Sequence, residues 1–133
     1  MNRAGTIISI ILIAIVGVGI FVYGFSVDQP PTVVIDDNAT FTGYLEYEGD
    51  TRYHSFRVYE NVTRIHFILK CPGNDFDLYG SYGELPSTND YYFRGYESGG
   101  ENFNYDYPDP GIWHLMVHSY SGVGHYDLII EFM

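Results

Sequence analysis

The sequence has one cysteine and lacks the short motifs that carry common enzyme chemistry. Because Cys71 is alone among 133 residues, no disulfide can form within the chain, and a small domain must be held by its core. There is no Gly-x-Ser-x-Gly elbow, no His-Glu-x-x-His motif and no glycine-rich phosphate loop ending in lysine. We therefore expect a protein that is not an enzyme, with Cys71 as an inert thiol.

Basic residues are also scarce, at six against 17 acidic ones, for a formal net charge of −11. All 17 acids and only five of the bases follow residue 27. Such a surface repels phosphate backbones and anionic lipid, so we expect no nucleic-acid partner.

One uncharged apolar stretch predicts a membrane-spanning α-helix over residues 5–25. These residues would extend about 31 Å as a helix, the thickness of the hydrocarbon core. Positive charge precedes the helix only at Arg3 and the amino terminus, which favours residues 1–4 in the cytoplasm and the remainder outside the cell membrane. A cleaved secretory signal is the alternative, although the apolar run is longer than such signals need.

The same segment is also compatible with a second function. Arg3-Ala4 before an apolar run is similar to archaeal prepilin signals, in which cleavage would leave Gly5 as the new terminus and the helix would pack into a filament. The sequence thus leaves open a retained anchor and a pilin-like subunit of an extracellular filament.

The region after the helix is predicted to be a short spacer followed by an all-β domain. Residues 26–38 contain Pro30-Pro31 and break both helix and strand patterns. Over residues 39–133, alternation of period two recurs between turn-forming residues. We predict strands at 40–47, 52–59, 63–71, 76–82, 91–96, 102–107, 112–119 and 124–132. Eight short strands indicate an antiparallel β-sandwich, jelly-roll-like in type.

Alternation also assigns a core, because every second side chain of a strand points to the same face. The predicted core side chains are His54, Phe56, Val58, Ile65, Phe67, Leu69, Phe103, Tyr105, Tyr107, Trp113, Leu115, Val117, Tyr126, Leu128 and Ile130.

Several spaced motifs in the β region resemble the pre-peptidase C-terminal domain family. They are GYL at 43–45, GDTRYHSFRV at 49–58, DFDLY at 75–79, Pro86, PGIWHLMVHSYSG at 110–122 and GHYDL at 124–128. The resemblance covers residues 40 to 132 and implies a β-sandwich in an extracytoplasmic accessory role; collagenase relatives bind substrate and calcium. It does not imply peptidase activity, since in that family the peptidase is a separate domain.

Calcium is the one cofactor that the acidic residues suggest. Asp75 and Asp77 alternate on a predicted strand, so their carboxylates would share a face about 7 Å apart. Because calcium takes six to eight oxygens, Asp36, Asp37, Asp50, Asp90 or backbone carbonyls would have to join them. The alternative is a solvated pair that caps the turn before the strand.

Histidines offer a weaker metal site. His114 and His118 lie on the face opposite Trp113 and would be about 13 Å apart, too far for one zinc ion unless His66 or His125 shares that face. Solvated or partner-facing histidines are the simpler interpretation.

Aromatic residues indicate a binding surface, because 14 tyrosines and nine phenylalanines exceed what one small sandwich can bury. The predicted partner-binding residues are Tyr91, Tyr92, Phe93, Tyr96, Ile112, His114, Met116 and His118.

Asn38 and Asn61 begin N-glycosylation sequons. The sequence predicts a non-enzymatic, membrane-tethered accessory subunit that contacts a protein partner or another copy in the cell envelope. The alternatives are the filament subunit and a calcium-dependent ligand- or glycan-binding module.

Overall fold

The computed structural model describes residues 38–133, which form two four-stranded antiparallel sheets. The strands are β1 (Ala39–Leu45), β2 (Thr51–Val58), β3 (Arg64–Lys70), β4 (Asp75–Tyr82), β5 (Phe93–Gly95), β6 (Glu101–Asp106), β7 (Gly111–Ser121) and β8 (Gly124–Phe132). Sheet 1 has the order β1-β8-β3-β6 and sheet 2 the order β2-β7-β4-β5. The predicted all-β sandwich is confirmed, and this order is that of a jelly roll.

The predicted membrane helix at 5–25 lies outside the described residues, as does the predicted spacer as far as residue 37. Between residues 38 and 133 there is no helix long and apolar enough to cross a membrane.

Turns that contain glycine follow strands β1 and β3. Gly49, at a φ of 91°, lies in the connection from β1 to β2, and Gly73, at 81°, lies in the connection from β3 to β4. Only glycine adopts this backbone region at no steric cost. In the second turn the Asn74 N–H donates to the Cys71 carbonyl at 2.9 Å. The chain therefore reverses within a few residues and passes from one sheet to the other.

The core between the sheets is aromatic. Phe67 packs against Phe56, Phe93 and Phe103 with ring centroids 5.0 to 6.0 Å apart. Trp113 is buried, and its indole N–H donates to the Asp109 carbonyl at 2.8 Å. Most predicted core residues are buried as expected: Phe56, Val58, Ile65, Phe67, Leu69, Trp113, Leu115, Val117, Tyr126, Leu128 and Ile130. Phe103 and Tyr105 are partly buried against them.

The prediction of Tyr107 as a core residue is wrong, because 82% of its surface is exposed. Strand β6 ends at Asp106, and Tyr107 has a left-handed φ of 52° while its N–H donates to the Thr63 carbonyl at 2.8 Å. The alternation of the strand therefore stops one residue before it. The prediction also missed core residues on three other strands and one loop: Leu45, Cys71, Phe76, Leu78 and Phe93.

His54 occupies a part-buried position beside the core as a neutral hydrogen-bonding ring. Its ring stacks on Phe41 with centroids 4.6 Å apart, and its Nε2 lies 2.7 Å from the Tyr126 hydroxyl. Burial lowers the pKa of His54 to about 4 and raises that of Tyr126 to about 12. Gly43 leaves the space for Tyr126, since a Cβ there would overlap its ring.

Candidate functional site

The first predicted calcium ligand, Asp50, is already satisfied by protein groups. Its carboxylate accepts from the backbone N–H groups of Glu46 and Thr51 and from the Arg52 guanidinium, at 2.7 to 2.8 Å. Burial alone would raise the pKa of Asp50, but these donors outweigh it and hold the pKa below the usual value. The carboxylate thus anchors the turn into β2.

The other predicted ligands differ in their surroundings. Asp75 and Asp77 both lie on β4, and the register of β4 against β7 shifts between Asp75 and Phe76. Asp75 accepts from the Gly99 N–H at 3.1 Å, whereas Asp77 is buried. Asp90 is exposed in the connection between β4 and β5. Across residues 38–133 no three acidic, histidine or cysteine side chains are grouped so as to hold a metal ion.

The histidines are divided between the two sheets, so they do not form the zinc site considered from the sequence. His66 is in β3 and His125 in β8 of sheet 1, whereas His114 and His118 are in β7 of sheet 2. His66 contacts Glu131 and Asn102 at 2.9 and 2.6 Å.

His114 forms a pair that resembles a nucleophile and its base. The Ser55 hydroxyl lies 2.7 Å from His114 Nδ1, and burial lowers the pKa of His114, which keeps the ring neutral. Ser55 is nevertheless fully buried, so its oxygen is closed to a substrate in this conformation. Cys71 is buried as well, and burial raises the pKa of its thiol, which disfavours the reactive thiolate.

Three of the eight predicted partner-binding residues are buried and cannot serve as a docking surface. Phe93 is only 8% exposed and packs inside the sandwich, with its ring 6.0 Å from Trp113. His114 and Met116 do lie opposite Trp113, but the outer face of sheet 2 is itself covered. The connection between β4 and β5 supplies part of this cover, since its Tyr91 packs on Tyr79 at 5.3 Å.

Three of the predicted residues, Tyr91, Tyr92 and Tyr96, are exposed and lie beside the short strand β5. Together with the half-buried Arg94, which was not predicted, they form a surface that we name the β5 aromatic edge. The Arg94 guanidinium lies 5.2 Å from the centre of the Tyr79 ring and 4.6 Å from that of Tyr96. Its Nη2 donates to Asp77 at 3.3 Å. These contacts orient a cation between two aromatic rings.

Tyr92 and His118 extend the surroundings of this edge. Tyr92 is exposed, yet its ring covers one side of Trp113 with centroids 5.5 Å apart. His118, half-buried, lies edge-on to Tyr79 at 6.1 Å. Ile112, the last predicted residue, is half-buried near the start of β7.

Glu101 at the start of β6 was not among the predicted site residues, although the sequence carried a signal for it. Period-two alternation through Phe103 and Tyr105 turns residue 101 inward, and only 3% of Glu101 is exposed. Its Oε1 accepts from the Glu97 N–H at 3.1 Å, and its Oε2 has no hydrogen-bond partner. Burial, with a contribution from neighbouring carboxylates, raises the pKa of Glu101 to about 7.

Both sequon asparagines lie at the surface. Asn38 is exposed and its side-chain carbonyl accepts from the Phe132 N–H at 2.9 Å. Asn61 is exposed in the turn between β2 and β3. Glycosylation at either position stays a prediction.

No protein-family model matches this chain, and no curated protein matches it. Solved structures do resemble it. The pre-peptidase C-terminal domain of a collagenase from Bacillus anthracis is 23% identical with a TM-score of 0.56, and the match covers 78% of this chain and 100% of that one. PliG, a periplasmic inhibitor of g-type lysozyme from Aeromonas hydrophila, is 13% identical with a TM-score of 0.57, over 77% of this chain and 96% of that one.

A mitogen from Yersinia pseudotuberculosis is 15% identical with a TM-score of 0.51, over 73% of this chain and 86% of that one. Likenesses at these identities concern the fold. Residues 38–133 are similar in fold to a pre-peptidase C-terminal domain, in line with the resemblance of the sequence motifs.

Proposed function

We propose that this protein is a non-enzymatic binding module that contacts a protein partner in the cell envelope through the β5 aromatic edge. The observation that carries the proposal is an arginine held between tyrosine rings beside exposed Tyr91, Tyr92 and Tyr96. Tyrosine and arginine are enriched where a few side chains dominate binding energy. Tyrosine also combines a large apolar area with a polar tip, so it is stable both in water and in an interface.

Fixed geometry supports the same proposal. Arg94 is already oriented by Asp77 and Tyr79, and Tyr91 packs on Tyr79, so less side-chain freedom is lost on binding. Two proteins of similar fold, a domain from a collagenase and an inhibitor of a lysozyme, are by their names a module of a larger enzyme and a ligand of another protein. A non-catalytic contact role suits this fold.

The proposal includes a membrane tether formed by residues 5–25, with residues 39–133 outside the cell. Its support is the uncharged apolar run and the single basic residue, Arg3, before it. The mass of the N-terminal peptide of the native protein tests it. A terminus at Met1 or Asn2 in the detergent-soluble membrane supports a retained anchor, whereas a terminus at Gly5 in sheared extracellular fibres supports the filament subunit.

A photo-crosslinking experiment tests the binding surface. A benzophenone amino acid replaces Tyr96 in one variant and Tyr107 in a control, because both tyrosines are well exposed, at 68% and 82%. In intact cells we expect one discrete adduct from position 96 and none from position 107. The wild-type edge can be weakened by Tyr96→Ala, which should reduce co-purification of that same partner, while Tyr107→Ala should not.

Equal adducts from both positions, or none from position 96, would contradict the proposal. An adduct whose added mass equals the chain itself would instead identify self-association.

A further inference from the structure

A cavity of about 310 Å³ lies between the edge strands β5 and β6, next to the β5 aromatic edge. Its lining comprises Arg94, Gly95, Tyr96, Glu97, Glu101, Asn102 and Phe103. This volume is at the low end of the range for small-ligand sites, about 300 to 1,000 Å³, so it suits one side chain rather than a large ligand.

The cavity wall contains a carboxylate that the protein leaves incompletely bonded. Glu101 is 3% exposed, and its Oε2 receives no hydrogen bond from any described residue. Buried polar atoms in native proteins nearly always have partners, so an orphaned carboxylate oxygen beside an open cavity needs an explanation. Oε2 is itself shielded from solvent, so a donor that enters the cavity would complete it once the Glu101 carboxylate turns towards the cavity.

The charges around the cavity specify the kind of donor. Glu101 faces Glu97 on the connection before β6, and both Asp75 and Asp77 on β4 act on it electrostatically. The one cation among the lining residues is Arg94, and Asp77 already engages it at 3.3 Å. The surplus charge is therefore negative and attracts a cation.

We infer that this cavity receives a lysine or arginine side chain of the partner, whose cationic group pairs with Glu101 and lies beside the Tyr96 ring. The inference deepens the proposed function, on which it rests, by assigning the partner a basic segment. Rotation about the terminal bond of the Glu101 side chain can present either oxygen to the cavity, since that torsion is broadly populated. Gly95 keeps the approach open, because a Cβ at that position would overlap Phe103 and crowd the Glu101 carboxylate.

Carboxyl and amide NMR on the full-length protein in zwitterionic micelles tests the inference. The probe is the peptide acetyl-Gly-Lys-Gly-amide, and its Nε-acetyl-lysine form is the neutral control. We expect the lysine peptide to shift the Glu101 carboxyl and the Gly95 and Asn102 amides saturably. Because a bound cation favours the ionised acid, the apparent pKa of Glu101 should fall when the peptide is present.

Variants locate the interaction. Glu101→Gln preserves shape and the acceptor for the Glu97 N–H, and should weaken peptide binding at least tenfold. Glu60→Gln removes an equal charge from an exposed turn residue and should leave binding unchanged. Equal binding of the acetylated peptide, unaltered binding by Glu101→Gln, or no shift at Glu101 would each overturn the inference.

The two proposals fail separately. If the lysine peptide leaves Glu101 unshifted while the Tyr96 crosslink to the partner persists, the inference is wrong and the proposed function stands. If the peptide binds Glu101 but no partner crosslinks at Tyr96, the binding-surface proposal is wrong.

Discussion

The free energy of unfolding of this domain should depend on pH through two buried groups, whose titrations change it in opposite directions. Glu101 has a pKa of about 7 in the folded protein against 4.5 as its ordinary value, and His54 has about 4 against 6.5. As pH rises, Glu101 ionises in the unfolded chain before it ionises in the folded protein. Its contribution to stability is therefore fully present below pH 4.5 and is lost as pH rises through 7. For His54 the unfolded chain protonates first, so its contribution is present above pH 6.5 and is lost as pH falls towards 4.

The magnitudes follow from the shifts. Each shift is about 2.5 pH units, and one unit corresponds to 1.36 kcal/mol, so each group can change the free energy of unfolding by about 3 kcal/mol. Between pH 4.5 and 6.5 the two contributions have opposite slopes and largely cancel. Single substitutions should separate the two contributions. Glu101→Gln removes the loss of stability on the alkaline side, and His54→Phe removes the loss of stability on the acid side.

Urea unfolding at half-unit steps from pH 4 to 8 provides the assay, with the wild type and each variant measured together. At pH 7.5 Glu101→Gln should be more stable than the wild type by about 2 to 3 kcal/mol, and the gain should vanish near pH 4.5. Glu60→Gln, at an exposed turn residue, is the control and should show no such trend. A Glu101→Gln variant that is less stable at pH 7.5, or a difference independent of pH, would refute the reasoning.

Three further outcomes follow from the packing. Trp113→Ala should cost about 3 to 5 kcal/mol, because it empties the centre of the aromatic core; an unchanged melting temperature would contradict the core assignment. Gly80→Ala should cost about 1 to 3 kcal/mol, because its Cβ would overlap the buried Phe93 ring, whereas Ser98→Ala in an exposed loop should cost little. A calcium chelator should leave the melting temperature unchanged, because protein groups already engage the carboxylates of Asp50 and Asp77; a drop that calcium restores would reinstate a metal site.

Strand count, strand alternation and the turns were readable from the sequence, because each rests on local chemistry. Alternating apolar residues and turn glycines are short-range signals, and eight predicted strands correspond to the eight that residues 38–133 form. Tyr107 shows where this reasoning ends: nothing local indicated that the alternation of β6 would stop at Asp106. There the chain instead donates its Tyr107 N–H to Thr63, a residue distant in sequence.

The candidate site was predicted only in part, because its composition depends on what covers each sheet face. Alternation correctly placed His114 and Met116 opposite Trp113, but it could not show that this outer face is buried. Phe93 was assigned to the surface with Tyr91 and Tyr92 because three aromatic residues in succession carry no sign of which one turns inward.

By itself the sequence determined an acidic chain with one cysteine, a predicted membrane helix and an alternating β region with excess tyrosine. Those properties are sums over residues or patterns between near neighbours. Tertiary structure alone decided that Arg94 lies between two tyrosine rings and that one oxygen of the Glu101 carboxylate has no hydrogen-bond partner. Both results arise where the edge strands β5 and β6 of different sheets come together. Side chains distant in sequence meet there, and their desolvation and charge follow from that meeting rather than from any local pattern.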